Sequence, residues 1–238
     1  MWYYIFGDSM YEEALKILKK FNDYDYEAYI VGGYPRDKYL NIESNDIDIT
    51  TNATPQETKK IFQNVIDKYE KYGNIIIVEN NYKYQVTTFR KDKYLGDRKN
   101  VKIKYVNTLK EDLYRRDFII NTLCINKDGN YVDLLNAKTD IDKKIIRLIK
   151  KDSMKEDPLR ILRAIRFATV LNFKIDIKLE EEIVKYGYLI NKLSEYRKQE
   201  EINKIINSEN KEYGLNLIKK YKIDKYIMYN EDGDKNDG

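Results

Sequence analysis

Residues 31 to 51 read Val-Gly-Gly-Tyr-Pro-Arg-Asp-Lys-Tyr-Leu-Asn-Ile-Glu-Ser-Asn-Asp-Ile-Asp-Ile-Thr-Thr. An apolar approach, Tyr29 to Val31, leads in and reads as a strand. Gly32-Gly33 lets the backbone turn tightly and come close to a ligand. Arg36 and Asp37 then fall in the first turn of a short predicted helix ending near Leu40. Ten residues after Arg36 comes Asp46-Ile47-Asp48, inside an alternating stretch that reads as a second strand. Strand side chains alternate faces, which predicts Asp46 and Asp48 on one side and Ile47 and Ile49 in the core. Two carboxylates side by side repel unless a cation stands between them, and a divalent metal is the usual solution. A glycine turn and a nearby arginine can hold phosphates. Alone, Gly-Gly is usually a turn and Asp-x-Asp a solvated pair. The ordered combination asks for a metal-bound nucleoside triphosphate.

The 238 residues suffice for one large or two small domains with a sizeable core. Apolar residues make up 42% of them, which predicts a globular protein. Lys plus Arg exceed Asp plus Glu by four, an excess compatible with a nucleic-acid partner but too small to argue for one. No apolar run approaches the roughly 20 residues of a membrane span. Met1 to Gly7 lacks the length and basic flank of a secretory leader, so a cytoplasmic protein is expected. Cys124 is the sole cysteine, which excludes a disulfide framework and a cysteine zinc site. Histidine is absent altogether. That excludes a Ser-His-Asp triad, histidine metal ligands and a histidine general base. Catalysis would rest on carboxylates, metals and cations.

Periodicity predicts a helix over 9–21, capped by Ser9, with Met10, Ala14, Ile17, Leu18 and Phe21 on one face. Thr54-Pro55 opens another, with Ile61, Phe62, Val65 and Ile66 as its apolar face. Strands are predicted over 74–78 and 82–90, then a polar, mobile stretch from Lys91 to Asn100, then a strand through Val101, Ile103 and Tyr105. Asp128-Gly129 between two apolar runs predicts a hairpin turn. Beyond Ala137 the pattern turns mostly helical. Pro158 opens a helix with Ile161, Ala164, Ile165, Ala168 and Leu171 inward and Arg160, Arg163 and Arg166 opposite. Further helical segments follow at 178–193, 195–207 and 210–221. The expected class is mixed α+β. An α/β domain over 1–140 precedes a helical one over 141–228, and the polar, acidic 229–238 is expected to be disordered.

Two further motifs follow the first: Arg115-Arg116-Asp117-Phe118, and Glu156-Asp157-Pro158-Leu159-Arg160. Taken in this order, the three resemble the nucleotidyltransferase superfamily. Within it they resemble the class that holds bacterial and eukaryotic CCA-adding enzymes and bacterial poly(A) polymerases. The resemblance runs over residues 27 to 207. It implies a nucleotidyltransferase-like α/β head followed by an all-helical neck that binds nucleotide and RNA. The implied activity is template-independent addition of C and/or A to the 3′ end of tRNA from CTP and ATP, with release of pyrophosphate by a two-metal mechanism.

On this resemblance, Asp46 and Asp48 are catalytic carboxylates and the ligands of magnesium. Gly33 and Arg36 contact phosphate or ribose. Arg116 and Asp117 contact the ribose, with Asp117 accepting from its 2′-hydroxyl. Arg163 and Arg166 are further nucleotide contacts. The chain departs from the family pattern at Pro35, Asn41 and Ile119. A third carboxylate, common in the superfamily, has two candidate places. One holds Gln85, where relatives often carry an acid, and the other is Asp117.

Asp157 and Arg160 account for base choice. Cytosine and adenine both present an exocyclic amine beside a ring-nitrogen acceptor. Asp157 accepts from the amine while Arg160 donates to the ring nitrogen. Uracil and guanine reverse both groups, leaving each side chain facing its own kind, at about 1–3 kcal/mol per unpaired buried group. An isolated motif of this type could equally be an Asp–Arg pair closing a helix start.

Thr88-Phe89-Arg90, with Tyr94, Asp97, Arg98 and Val101, resembles the segment of CCA-adding enzymes that includes their flexible loop. This favours CCA addition over an A-only enzyme or a poly(A) polymerase. Leu193-Ser194-Glu195-Tyr196-Arg197 resembles a later, structural helical motif. A non-catalytic RNA-binding relative would not need the paired Asp46 and Asp48. A small-molecule nucleotidyltransferase is allowed by the fold, since fold does not fix substrate. The Asp157–Arg160 reader weighs against it. Family members usually continue through more helices that grip tRNA. This chain ends soon after its neck, which leaves open a compact enzyme, a homodimer or a piece of a longer protein.

Overall fold

The computed structural model describes residues 3–95 and 97–227, with side chains described over 9–92 and 102–227. The expected disorder of 229–238 and the side chains of Tyr94, Asp97, Arg98 and Val101 lie outside the described residues. The chain divides between Lys143 and Lys144 into two compact units.

The first unit runs α1 (Tyr3–Asp23), β1 (Ala28–Val31), α2 (Gly33–Tyr39), β2 (Asp48–Thr51), α3 (Pro55–Ile61), β3 (Val65–Ile66), β4 (Asn74–Glu79), β5 (Tyr82–Thr88), β6 (Arg90–Leu95), β7 (Asp97–Tyr105), α4 (Leu109–Leu113), β8 (Cys124–Ile125), β9 (Tyr131–Val132) and α5 (Ala137–Asp142). Seven strands form one sheet in the order β3-β4-β5-β2-β1-β8-β9. Its pairs are antiparallel except β2 with β5, which run parallel. Met10, Ala14, Ile17, Leu18 and Phe21 of α1 pack with Ile30, Ile49, Ile77, Tyr84 and Val86 of the sheet. Val31, Phe89, Val106, Leu109, Leu113 and Cys124 form a second, smaller core. Burial in that core pushes the Cys124 thiol up to about 12, which leaves it inert as a nucleophile.

Three elements differ from expectation. The first helix begins at Tyr3, so Ser9 lies inside it and does not cap it. Continuous helical bonding overrides serine's modest local preference for a helix start. Thr54 does cap α3, in a reciprocal box with Glu57, but that helix ends at Ile61. Phe62 turns extended, and Val65 and Ile66 pair with Ile77 and Ile76 as a short strand. β-Branched residues that read as a helix face here complete a sheet edge. Of the stretch from Lys91 to Asn100, expected to be mobile, the described residues lie in β6 and β7, which pair antiparallel, Arg90 with Tyr105 and Tyr94 with Val101.

The second unit contains β10 (Ile145–Ile146), α6 (Ser153–Glu156), α7 (Leu159–Leu171), β11 (Lys174–Ile175), α8 (Ile177–Tyr186), α9 (Glu195–Ile206), α10 (Lys211–Lys220) and α11 (Asp224–Ile227). It is helical but not all-helical, because β10 and β11 pair in parallel. Asn172 takes a left-handed conformation that ends α7 and lets the chain run extended beside Ile145 and Ile146. Gly214 lets α10 pack tightly: a Cβ there would lie 2.5 Å from Thr169 Oγ1 and 2.6 Å from Ile205 Cγ2.

Candidate active site

The antiparallel register of β1 and β2 sets Val31 opposite Asp48. The next residue, Gly32, has φ +83°, and a Cβ on it would stand 3.3 Å from Asp48 Oδ2. Glycine is therefore required at the first position of the pair, while Gly33 opens α2 in ordinary space. Ile47 and Ile49 are buried, as alternation predicts. The paired strand starts at Asp48, so Asp46 stands just before it and is exposed. Burial, reinforced by the neighbouring Asp46 and opposed by Arg116, pushes the Asp48 carboxyl up to about 6. A carboxylate that resists ionisation beside another is the electrostatic signature of a site that a cation completes. The donors are hard oxygens, which suits a hard divalent ion. Among the described residues no three Asp, Glu, Cys or His side chains group as metal ligands, so Asp117 does not join Asp46 and Asp48 in a triad.

Arg115, Arg116 and Asp117 follow the end of α4 in a turn and bend. Their anchor is Asp112, fully buried in that helix. Its Oδ1 accepts from Arg115 Nε at 2.8 Å and the Arg90 backbone N–H at 3.2 Å. Its Oδ2 accepts from Arg116 Nη2 at 3.1 Å and Thr50 Oγ1 at 3.3 Å. Burial pushes the Asp112 carboxyl up, but Arg115 and then Arg116 outweigh it and hold the group below its usual range. One carboxylate thus ties the Asp strand, the start of the β6–β7 hairpin and two arginines together. Arg116 Nε is buried and has no hydrogen-bond partner among the described residues. A buried donor of that kind calls for an acceptor from outside the protein.

Arg36 is buried in α2, three residues after Gly33. Its Nε and Nη2 reach Asp37 Oδ1 at 2.8 and 2.7 Å, and its Nη1 donates to Asn121 Oδ1. Asn121 Nδ2 donates in turn to Asp117 Oδ1 at 3.0 Å, which also accepts from the Phe118 N–H at 2.8 Å. The fold thereby connects the first motif to the second through one amide.

In the second unit Asp157 and Arg160 are both buried. Asp157 Oδ1 accepts from the Leu159 N–H at 3.3 Å and lies 3.8 Å from Arg197 Nη2. The helix-closing role and a ligand role are thus compatible in the same carboxylate. Arg163 and Arg166, expected as further nucleotide contacts, both approach Glu201, which is only 4% exposed. Arg166 Nε lies 2.7 Å and Arg163 Nη1 3.9 Å from its carboxylate. Arg166 also stacks 3.9 Å above the Phe167 ring. Helix packing of α9 on α7 delivers Glu201 to these arginines and Arg197 to Asp157, a proximity that periodicity within one helix does not contain.

Gly32, Asp112, Asn121, Arg197 and Glu201 thus join the residues singled out in the sequence. Asp112 precedes Arg116 by four and Asn121 follows Asp117 by four. Neither pair lies on one α-helix, since α4 ends at Leu113 and Asn121 stands in a 3-10 turn, so the spacing alone was not a helical signal.

The family model described as the poly A polymerase head domain matches residues 28–147. A second, described as a probable RNA and SrmB-binding site of polymerase A, matches residues 172–229. A CCA-adding enzyme of Streptococcus thermophilus is 35% identical over 222 residues, 92% of this chain and 55% of that protein. One from Bacillus subtilis is 36% identical over 202 residues, 84% of this chain and 51% of that protein. The solved structure of the Bacillus stearothermophilus CCA-adding enzyme in complex with CTP superposes with a TM-score of 0.84 at 31% identity, over 92% of this chain and 54% of that one. A tRNA nucleotidyltransferase complexed with a primer tRNA and an incoming ATP analog gives 0.72 at 30% identity, over 89% of this chain and 63% of that one. The chain spans about half the length of the curated relatives it matches.

Proposed function

The chain belongs to the poly A polymerase head-domain family, and from that premise we propose that it adds C and A to the 3′ end of tRNA from CTP and ATP. The observation that carries this reading is the pairing of Asp46 with a partly buried Asp48 against the Gly32 turn, opposed by Arg116. The names of the relatives, CCA-adding enzymes, favour C and A addition over A alone.

Members of this class are nucleotide-transferring enzymes that generally use divalent metals. Asp46 and Asp48 would hold them, and their oxygen donors favour magnesium. When bound, the metal supplies an activated 3′-hydroxyl and neutralises charge on the departing pyrophosphate. The rest of the work falls to the chain's own residues. Gly33 and Arg36 receive the triphosphate, and the unpartnered Arg116 Nε offers a donor to it or to the ribose. Asp117 accepts from the 2′-hydroxyl. Asp157 and Arg160 read the base edge that cytosine and adenine share. Arg163 and Arg166, steadied by Glu201, are the further nucleotide contacts.

In domain terms, residues 1–140 form the catalytic head and 141–228 the helical neck that binds nucleotide and RNA. The second matched family supports that division of labour. No helix among the described residues is long and apolar enough to cross a membrane. A cytoplasmic place of action accompanies the tRNA reading.

The test is a gel assay with magnesium and tRNA transcripts ending before C-C-A, after the first C and after C-C, each given CTP, ATP or both. Stepwise addition of C, C and A that then stops is the expected result. A added only to the C-C end would make it an A-adding enzyme, and an unbounded A ladder a poly(A) polymerase. Absence of product on every transcript, with nucleotide binding intact, would overturn CCA addition by this chain alone and point to a missing RNA-gripping part or a different acceptor.

A further inference from the structure

The second unit holds a cavity of about 810 Å³ between the segment that follows β10 and helix α8. That volume falls within the roughly 300–1,000 Å³ of small-ligand sites. Leu148 and Leu179 give it apolar wall, and Arg147, Lys151, Lys178 and Lys185 bring four cations to it. Glu182 also lines it, yet is only 7% exposed. Its Oε1 accepts from the Asp152 N–H at 2.7 Å. Its Oε2 is buried and has no hydrogen-bond partner among the described residues. Neither Asp157 nor Arg160 lines this cavity. We infer that it is a separate site for one unpaired nucleotide of an RNA strand, with the base amino group on Glu182 and the flanking phosphates on Lys151 and Lys178. This rests on the reading of RNA as the chain's acceptor.

The ligand's chemistry follows from what the wall leaves unmet. A buried carboxylate oxygen without a donor is unfavourable, and a donor carried by a ligand removes that cost. A divalent ion suits the place badly, because among the described residues no three Asp, Glu, Cys or His side chains group as metal ligands. The cations are unequally committed. Arg147 Nε lies 3.5 Å from Asp176 Oδ2, and Lys185 Nζ lies 3.6 Å from Asp152 Oδ1. Lys151 and Lys178 are exposed, and their ammonium groups have no ion pair among the described residues. A buried acceptor beside exposed positive charge matches a base with an N–H donor and an anionic phosphate. A strand carries a phosphate on either side of each base. It can therefore meet Lys151, from the segment after β10, and Lys178, from α8, together. A mononucleotide brings phosphate at one end alone.

Base preference follows from the same oxygen. Adenine, cytosine and guanine carry an exocyclic amine that can donate to Glu182 Oε2. Uracil carries none, and its N3–H stands between two carbonyl oxygens that a carboxylate repels. Glu182→Gln reverses this polarity. The Asp152 N–H needs an acceptor, so the amide carbonyl would take the place of Oε1 and the amide nitrogen that of Oε2. The wall would then offer a donor, which suits uracil's carbonyls.

Anisotropy titrations of labelled hexa-adenylate and hexa-uridylate on the full chain, without nucleoside triphosphates, test the site. Wild type should bind the adenylate about tenfold more tightly. The proposed base reader, Asp157 and Arg160, would favour adenine too, so the deciding quantity is the change on substitution. Glu182→Gln should shrink the ratio about tenfold with an unchanged thermal melt. Lys178→Ala, an exposed change, should weaken both RNAs alike by about threefold and flatten their salt dependence. An unchanged ratio in a stably folded Glu182→Gln overturns the inference. Should that variant melt earlier, Lys178→Ala decides, and unchanged affinity and salt dependence overturn it. AMP that displaces hexa-adenylate at equal concentration would make the ligand a free nucleotide and overturn the RNA strand. These titrations need no transfer. A chain that binds as expected but extends no tRNA transcript keeps the cavity and loses the proposed reaction, while CCA addition with an unchanged ratio loses the cavity alone.

Discussion

Gln85 stands level with Asp48, because the parallel register of β2 and β5 pairs their Cα positions. Level residues on neighbouring strands share a face of the sheet. The position beside the proposed metal ligand therefore carries a neutral amide. Charge count among oxygen ligands tunes divalent-ion affinity. Gln85→Glu should tighten binding of manganous ion to the nucleotide-free protein by about fivefold or more, an estimate in line with that tuning. A paramagnetic titration reads this directly. Equal affinity in the two proteins would show that position 85 does not reach the ion.

Asp46 is exposed and outside the sheet ladder, so its replacement should spare the fold. Asp46→Ala is expected to abolish nucleotide transfer while nucleotide affinity changes only slightly. Single-turnover assays beside binding titrations separate the two. Normal turnover in this variant would remove the two-carboxylate metal assignment.

Asp157 is buried at the start of α7 and near Arg197. With alanine there, the base edge loses its acceptor, and exclusion of UTP should weaken by about tenfold or more, from about 1–3 kcal/mol per mismatched group. Competition between UTP and CTP on one tRNA transcript measures the change. Unchanged exclusion would leave Asp157 with its helix-closing role alone.

Asp112 should be the costliest carboxylate to remove. Asp112→Ala strands Arg115 and Arg116 without their shared partner, a loss of about 3–5 kcal/mol by analogy with other broken buried pairs. Urea denaturation would show it. The pH dependence has a definite sign. The folded carboxyl is held below its usual range by Arg115 and Arg116, against burial. Its contribution is therefore present above the unfolded value, near pH 4, and is lost as pH falls through the depressed folded value. Asp112→Asn should flatten that acid limb of the stability curve. A variant as acid-sensitive as wild type would place the acid sensitivity elsewhere.

Period-two alternation in 46–49 and helical spacing in 159–171 were legible because both record burial of one face, and the structure buries Ile47, Ile49, Ile161, Ala164, Ile165 and Ala168. The Thr54–Glu57 capping box was half visible, as a predicted helix start at Thr54-Pro55. Boundaries were less so. Val65 and Ile66 read as helix because their partners, Ile77 and Ile76, come from another segment. The Lys91–Leu95 and Asp97–Asn100 parts of β6 and β7 read as loop because their residues are mostly polar, while backbone pairing needs no apolar face.

The sequence by itself determined the mixed class, the order of three motifs and the exclusion of histidine and disulfide chemistry. It did so because composition and local periodicity are properties of neighbours along the chain. Only the tertiary structure decided that Gly32 is the glycine pressed against Asp48, that Asp112 gathers Thr50, Arg90, Arg115 and Arg116, and that Asn121 bonds both Arg36 and Asp117. The relations of Gly32, Thr50, Arg90 and Arg36 join residues far apart in the chain, while Arg115, Arg116 and Asp117 lie within four residues of their partners. Sheet register and close packing, which no local pattern encodes, bring the distant ones together.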